Sequence, residues 1–273
     1  MKLWLALRLR ILTALVLLPF VLVSLWQGGL SYTVLISIIG IAMVMEWVDI
    51  VTGRGARFFS GLLGVLIVLL AVISAQGLTE AFAFLGLALL FASGLSMMLG
   101  MKLSILSGGL LYVGLPVMSL MILRHAEMGV WVVIYLTFTV WFTDIMAMLA
   151  GKTIGGVKLA PVISPNKTWA GLLGGMAGAG LIGAALSPFI TGTDYLTLGL
   201  LGCVFAVVAQ LGDLFESWIK RRHNLKDSGD ILPGHGGVLD RVDGIISVSV
   251  FAFFLMLLRS PDEGLTAAGV LIW

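Results

Sequence analysis

Five carboxylates carry the chemical interest of this sequence: Asp144, Asp213, Glu216, Asp240 and Asp243. Each falls within or beside an apolar run. An ionisable side chain at the centre of a membrane helix costs about 2.5–3.5 kcal/mol on insertion scales, so it is a functional candidate by default. Asp213, Glu216, Ser217 and Lys220 are offset by three, four and seven residues and share one helix face. Asp240 and Asp243, three apart, share another. Carboxylates drawn together repel unless a cation joins them. The economical cation is Mg²⁺, which takes one or two carboxylates together with phosphate oxygens and water. Asp213, Asp240 and Asp243 are the expected ligands, with Asp144 as a further site carboxylate. The structural alternative stays open: solvated helix ends, with Lys220 or Arg241 as partners.

Two loops supply the opposite charge. The first reads Gly151-Lys152-Thr153-Ile154-Gly155-Gly156-Val157-Lys158 and then Ser164-Pro165-Asn166-Lys167-Thr168. Pro165 is a helix-start residue, and a helix N-terminus offers free N–H groups to a phosphate. Lys167 and Thr168 are therefore expected in a first helical turn. The loop is no Walker A sequence, and lysines on such a loop also act as plain topology determinants. The second loop holds Lys220, Arg221, Arg222, His223 and Lys226, then Asp227 and Pro233-Gly234-His235-Gly236-Gly237. Its basic residues suit anionic headgroups or phosphates, its glycines allow backbone to approach a ligand closely, and His235 is a phosphate-donor candidate.

The elements that must position these residues are membrane helices. Of 273 residues, 60% are hydrophobic and only 11% charged, against about 45–50% and about 25% in soluble domains. Mean hydropathy is +1.12. These values exclude a soluble globular enzyme, a disordered chain and a collagen-like fibre, and long unbroken apolar runs exclude a β-barrel. The expected fold is an all-α, polytopic integral membrane protein of about nine helices. The runs are 11–28, 30–48, 58–76, 80–100, 103–123, 129–150, 168–190, 196–219 and 242–258; 264–273 is too short for a tenth. The first run reads as a retained signal-anchor. With the N-terminus in the cytoplasm, 14 of the 16 Lys and Arg fall inside, and Arg124 and Arg259 fall outside. A net charge of +2 gives no argument for nucleic acid, and the single Cys203 excludes a disulfide framework. Gly171-x-x-x-Gly175 and Gly174-x-x-x-Gly178 read as packing faces. Glu46, Trp47 and Asp49 sit at an inner helix end, as interfacial or supporting residues. The chain reads as one domain, 1–273, with its chemistry in 144–243. Half of the 30 charged residues, 15, lie within 144–167 and 213–243.

The 27 residues from Ser217 to Asp243 resemble the signature of phosphatidate cytidylyltransferases, also called CDP-diacylglycerol synthases. The run is Ser217-Trp218-Ile219-Lys220-Arg221, then Lys226-Asp227-Ser228-Gly229, then Leu232-Pro233-Gly234-His235-Gly236-Gly237-Val238-Leu239-Asp240-Arg241-Val242-Asp243. Upstream, Lys158-Leu159-Ala160-Pro161, Ser164-Pro165-Asn166-Lys167-Thr168-Trp169 and Gly212-Asp213 are similar to further stretches of that family. Met146 and Met148 stand where the family commonly has Gly and Tyr, and Ala170 where a polar residue is frequent.

The resemblance implies a reaction of CTP with phosphatidate to give CDP-diacylglycerol and pyrophosphate. The lipid phosphate would attack the α-phosphorus in line at a dinuclear centre, with Mg²⁺ and a monovalent ion as candidates for the metals. For that reaction the expected catalytic residues are Asp213, Asp240, Asp243, Lys220 and His235. The expected substrate contacts are Asp144, Ser164, Asn166, Lys167, Arg221, Lys226, Asp227 and Arg241. The resemblance also implies a homodimer in a bacterial inner membrane; the Lys and Arg distribution turns the active site to the cytoplasm. Three rival readings compete with this one. A CDP-alcohol phosphotransferase would need further aspartates after Asp243-Gly244, which the last run lacks. A related lipid-alcohol kinase would release a nucleoside diphosphate. A transporter would place its charges at the midplane.

Overall fold

Backbone N–H and C=O groups find no water in hydrocarbon, so a spanning chain must satisfy them within helices. The computed structural model, described here for residues 18–53, 56–231, 236–259 and 266–273, follows that rule. Among the described residues, eight helices are long and apolar enough to cross a membrane. The first expected run is represented by the shorter α1 (Leu18–Gln27). Its earlier part lies outside the described residues, as do Lys2, Arg8, Arg10, Arg54 and His235.

The chain forms two compact units. The first holds α1, α2 (Gly29–Thr52), α3 (Arg57–Ser74), α4 (Leu78–Met98), α5 (Leu103–His125) and the segment 223–241. In it α2 packs on α3 and α5, and α4 on α3 and α5. Arg124, expected outside the membrane, ties the end of α5 to that of α1. It donates from Nε to the Leu25 carbonyl at 2.7 Å and from a terminal nitrogen to the Trp26 carbonyl at 2.9 Å. Those carbonyls close α1 and have no intrahelical donor.

The second unit holds α6 (Gly129–Thr153), β1 (Lys158–Ala160), β2 (Ser164–Thr168), α7 (Trp169–Leu186), α8 (Tyr195–Arg222), α9 (Leu239–Arg259) from Val242 onward, and α10 (Ala268–Leu271). Helix α7 lies between α6 and α8, and small residues set how closely it packs. A Cβ at Gly171 would stand 3.0 Å from the Ala147 carbonyl, and one at Gly175 3.1 Å from that of Thr143. Gly174 and Gly178 face Ala150 and Met146 as closely. Both expected packing faces therefore meet α6, where small residues let backbones approach. On the opposite side, a Cβ at Gly183 or Gly202 would press into the carbonyl of Leu198 or Ala179. Arg259, the other expected outer arginine, lies 4.1 Å over the Trp273 ring and donates to the Gly269 carbonyl at 3.2 Å.

Candidate active site

The loop between α6 and α7 is a short antiparallel hairpin. Lys158 pairs with Thr168 and Ala160 with Ser164, with an irregularity between. This corrects the expectation that Pro165 opens a helix. The residue before a proline is pushed toward extended backbone, and Ser164 takes that conformation in β2. Thr168 is the N-cap of α7, its Oγ1 accepting the Gly171 N–H at 3.0 Å. Threonine there satisfies one of the helix's free donors. Lys167 thus precedes the helix rather than lying in its first turn.

Beside the hairpin is a cleft of about 550 Å³. Helix α6 contributes Asp144, Met148 and Lys152; the strands contribute Lys158, Asn166 and Lys167; α8 contributes Asp213. Asp144 lies nine residues before the end of α6, and Asp213 nine before the end of α8. That is about 14 Å of helix in each case. Lys167 Nζ stands 2.6 Å from Asp213 Oδ2, the lysine side chain 15% exposed and the aspartate 32%. Ser217 Oγ donates to the other Asp213 oxygen at 3.3 Å. Asp243 interacts electrostatically with Asp213, Asp144 and Lys167, and its Oδ1 accepts the Gly244 N–H at 2.7 Å. Two glycines permit this assembly. A Cβ at Gly212 would overlap Ser247 and stand 2.9 Å from the Asp243 carbonyl; one at Gly244 would stand 2.8 Å from Val140 Cγ1.

The second unit therefore brings together Asp144, Asn166, Lys167, Asp213 and Asp243. Met146 packs into the notch left by Gly178, and Met148 is exposed at the cleft. Ser164, Lys220 and Arg221 do not line the cleft. Lys220 Nζ pairs with Glu216 Oε1 at 3.0 Å, both side chains buried. Arg221 Nε donates to the Ile163 carbonyl at 3.4 Å and so holds the hairpin turn to the end of α8. The last three basic residues of α8 stand on the helix itself, not in the loop expected from 220 onward.

The first unit contains a second polar cluster. Asp240 Oδ2 accepts the Ser228 N–H at 2.9 Å and the Gly237 N–H at 3.3 Å, and the Ser228 Oγ lies 3.0 Å from it. Glu46, on α2 and 2% exposed, accepts the Val238 N–H at 2.7 Å, the Leu239 N–H at 2.8 Å and the Ser228 hydroxyl at 2.9 Å. Lys226, Asp227 and Arg241 are exposed nearby in sequence. The sequence alone offers Glu46 no partner; its signal there is a carboxylate, one of two with Asp49, inside an apolar helix.

Among the described residues, no three His, Cys, Asp or Glu side chains form a group that could by itself hold a metal ion.

Residues 8–259 match the model of the Cytidylyltransferase family. A phosphatidate cytidylyltransferase of Brucella abortus (strain 9-941) is 38% identical over 263 residues, covering 94% of this chain and 96% of the relative. One of Rickettsia bellii is 36% identical over 256 residues, covering 90% and 89%. One of Rickettsia felis is 42% identical over 158 residues, covering 55% and 69%. With likeness on that scale over nearly its whole length, the chain belongs to the cytidylyltransferase family.

Proposed function

We propose that this protein transfers the cytidylyl group of CTP to phosphatidate, giving CDP-diacylglycerol and pyrophosphate. The relatives named phosphatidate cytidylyltransferase support the substrates. The observation that carries the site is the cleft in which Lys167 pairs with Asp213 beside Asp144, Asn166 and two further lysines. Both substrates are polyanions, and a site for them needs cations beside its carboxylates.

Carboxylate oxygens are the donor set that Mg²⁺ prefers, and an ion held by one or two of them plus phosphate oxygens needs no complete protein cage. Asp213 and Asp243 are the proposed ligands in the second unit. Asp240, three residues before Asp243 on α9, is proposed as a ligand from the sequence argument. Bound there, Mg²⁺ would offset the triphosphate charge and polarise the α-phosphate. A monovalent second ion is part of the same proposal.

The chain's own residues do the rest. Lys167 neutralises Asp213 until phosphate oxygens arrive, and its ammonium is placed to contact them. Asn166, Lys152 and Lys158 offer donors along the same wall. A phosphate monoester loses its second proton near pH 6, so the lipid phosphate needs no base to attack. Positioning and charge neutralisation then account for the rate. Acyl chains remain in the bilayer while the headgroup enters the cleft.

The proposal includes a bacterial inner membrane, a cytoplasm-facing site supported by the Lys and Arg distribution, and a homodimer. Purified protein with CTP, phosphatidate and Mg²⁺ should release pyrophosphate. Release independent of lipid, equal use of other nucleotides, or none at all would overturn it.

A further inference from the structure

We infer that Glu46 is a positioning residue for Asp240, the second residue of α9, acting through Ser228 and the start of that helix. The inference rests on the cytidylyl-transfer reading above, but the geometry behind it stands within the first unit.

Glu46 lies six residues before the end of α2, in a helix otherwise built for the membrane. A buried carboxylate there is costly unless donors surround it. Three do. Two are the backbone N–H groups of Val238 and Leu239, at the start of α9, where N–H groups have no intrahelical acceptor and the helix dipole favours negative charge. The third is the Ser228 hydroxyl, whose oxygen also lies within hydrogen-bonding distance of Asp240 Oδ2. One side chain from α2 thus ties Ser228 to Val238 and Leu239 at the start of α9.

The loop's glycines are shaped around that grip. A Cβ at Gly229 would stand 2.9 Å from Glu46 Oε1 and 3.0 Å from its Cγ. A Cβ at Gly237 would overlap the Ser228 hydroxyl and stand 2.7 Å from Glu46 Oε2. Gly229 and Gly237 therefore have a structural reason that loop flexibility does not supply: they make room for Glu46. With the Ser228 hydroxyl donated to Glu46, the Asp240 carboxylate is aimed by the N–H groups of Ser228 and Gly237.

Glu46→Gln keeps the size of the side chain but turns one acceptor into a donor, which must then face an N–H or hydroxyl donor. The test compares parent, Glu46→Gln and Ser228→Ala in detergent. It measures lipid-dependent pyrophosphate release across Mg²⁺ and phosphatidate concentrations, and peptide hydrogen exchange across the chain. In Glu46→Gln, kcat should fall at least tenfold and the Mg²⁺ for half-maximal rate should rise. The KM for phosphatidate should stay within twofold. Exchange in peptides covering Ser228 and Val238–Leu239 should rise at least tenfold while α3 and α4 remain as in the parent. Ser228→Ala should move the same readouts in the same direction by less, and it serves if Glu46→Gln does not fold. Parental kcat, unchanged loop exchange, or a rise in exchange spread evenly over α2–α5 would overturn the inference. A parent that releases no pyrophosphate would defeat the cytidylyl-transfer reading instead, and the exchange comparison would still decide whether Glu46 holds the loop.

Discussion

Gly212→Ala should inactivate the protein through one methyl group. Gly212 precedes Asp213, and its missing Cβ leaves space taken by Ser247 and by the carbonyl of Asp243. An added Cβ would stand 2.6 Å from Ser247 Cβ and 2.9 Å from the Asp243 oxygen, besides overlapping the Ser247 hydroxyl. The hydroxyl can rotate away. The Cβ and the backbone carbonyl cannot, and carbon atoms settle at about 3.5–4.0 Å. Helices α8 and α9 must therefore part by roughly 1 Å at this level, an overpacking cost of about 1–3 kcal/mol. The displacement falls between Asp213 and Asp243 themselves. With Asp213 and Asp243 in their proposed role, a misplacement of about 1 Å costs roughly 10²-fold in rate, so pyrophosphate release should drop about a hundredfold while the protein stays folded. Ser247→Gly removes both the hydroxyl and the Cβ, the two nearest approaches, and keeps the 2.9 Å approach to Asp243. The double variant should then recover much of the lost rate, a coupling expected of residues in contact. Activity and apparent melting temperature are measured on both single variants, the double variant and the parent. Parental activity in Gly212→Ala, or a double variant no better than the single, would refute the reasoning.

Other expectations follow from the same geometry. Lys167→Met removes the ammonium from Asp213, and turnover should fall at least a hundredfold with the fold retained by circular dichroism; near-parental turnover would remove Lys167 from the site. Asp213→Asn should abolish Mg²⁺-dependent release, and a variant that still turns over with the parent's Mg²⁺ requirement would sink the metal assignment. Lys220→Met leaves Glu216 buried without its ammonium, a change that destabilises by about 3–5 kcal/mol for buried pairs; the apparent melting temperature should fall by several degrees and partly return in Lys220→Met with Glu216→Gln. Asp194 lies outside the spans, where hydrogen bonds from Thr197 and Leu196 hold its carboxyl below the usual range. Its support for the start of α8 is present above the unfolded-state pKa and lost as pH falls through the lower folded-state value. Asp194→Asn should flatten that acidic limb in a melt-versus-pH series.

The membrane class and, among the described residues, eight of the helices were legible in the sequence. Hydropathy is a sum over neighbours along the chain, and the carboxylate offsets on α8 and α9 are local helix geometry. The Gly-x-x-x-Gly faces were legible for the same reason, as were Glu216 and Lys220, which meet one helical turn apart. Pro165 misled because a proline that can open a helix can equally sit in an extended strand, and pairing of Ser164 with Ala160 decided between them. Tertiary structure alone decided the longer reaches. Lys167 meets Asp213 because the hairpin folds its lysine toward α8. Glu46 meets Ser228, Val238 and Leu239 across 182, 192 and 193 residues of chain. A sequence records which groups need partners; which partner each one finds is set by helix packing, because only packing brings distant donors within hydrogen-bonding range.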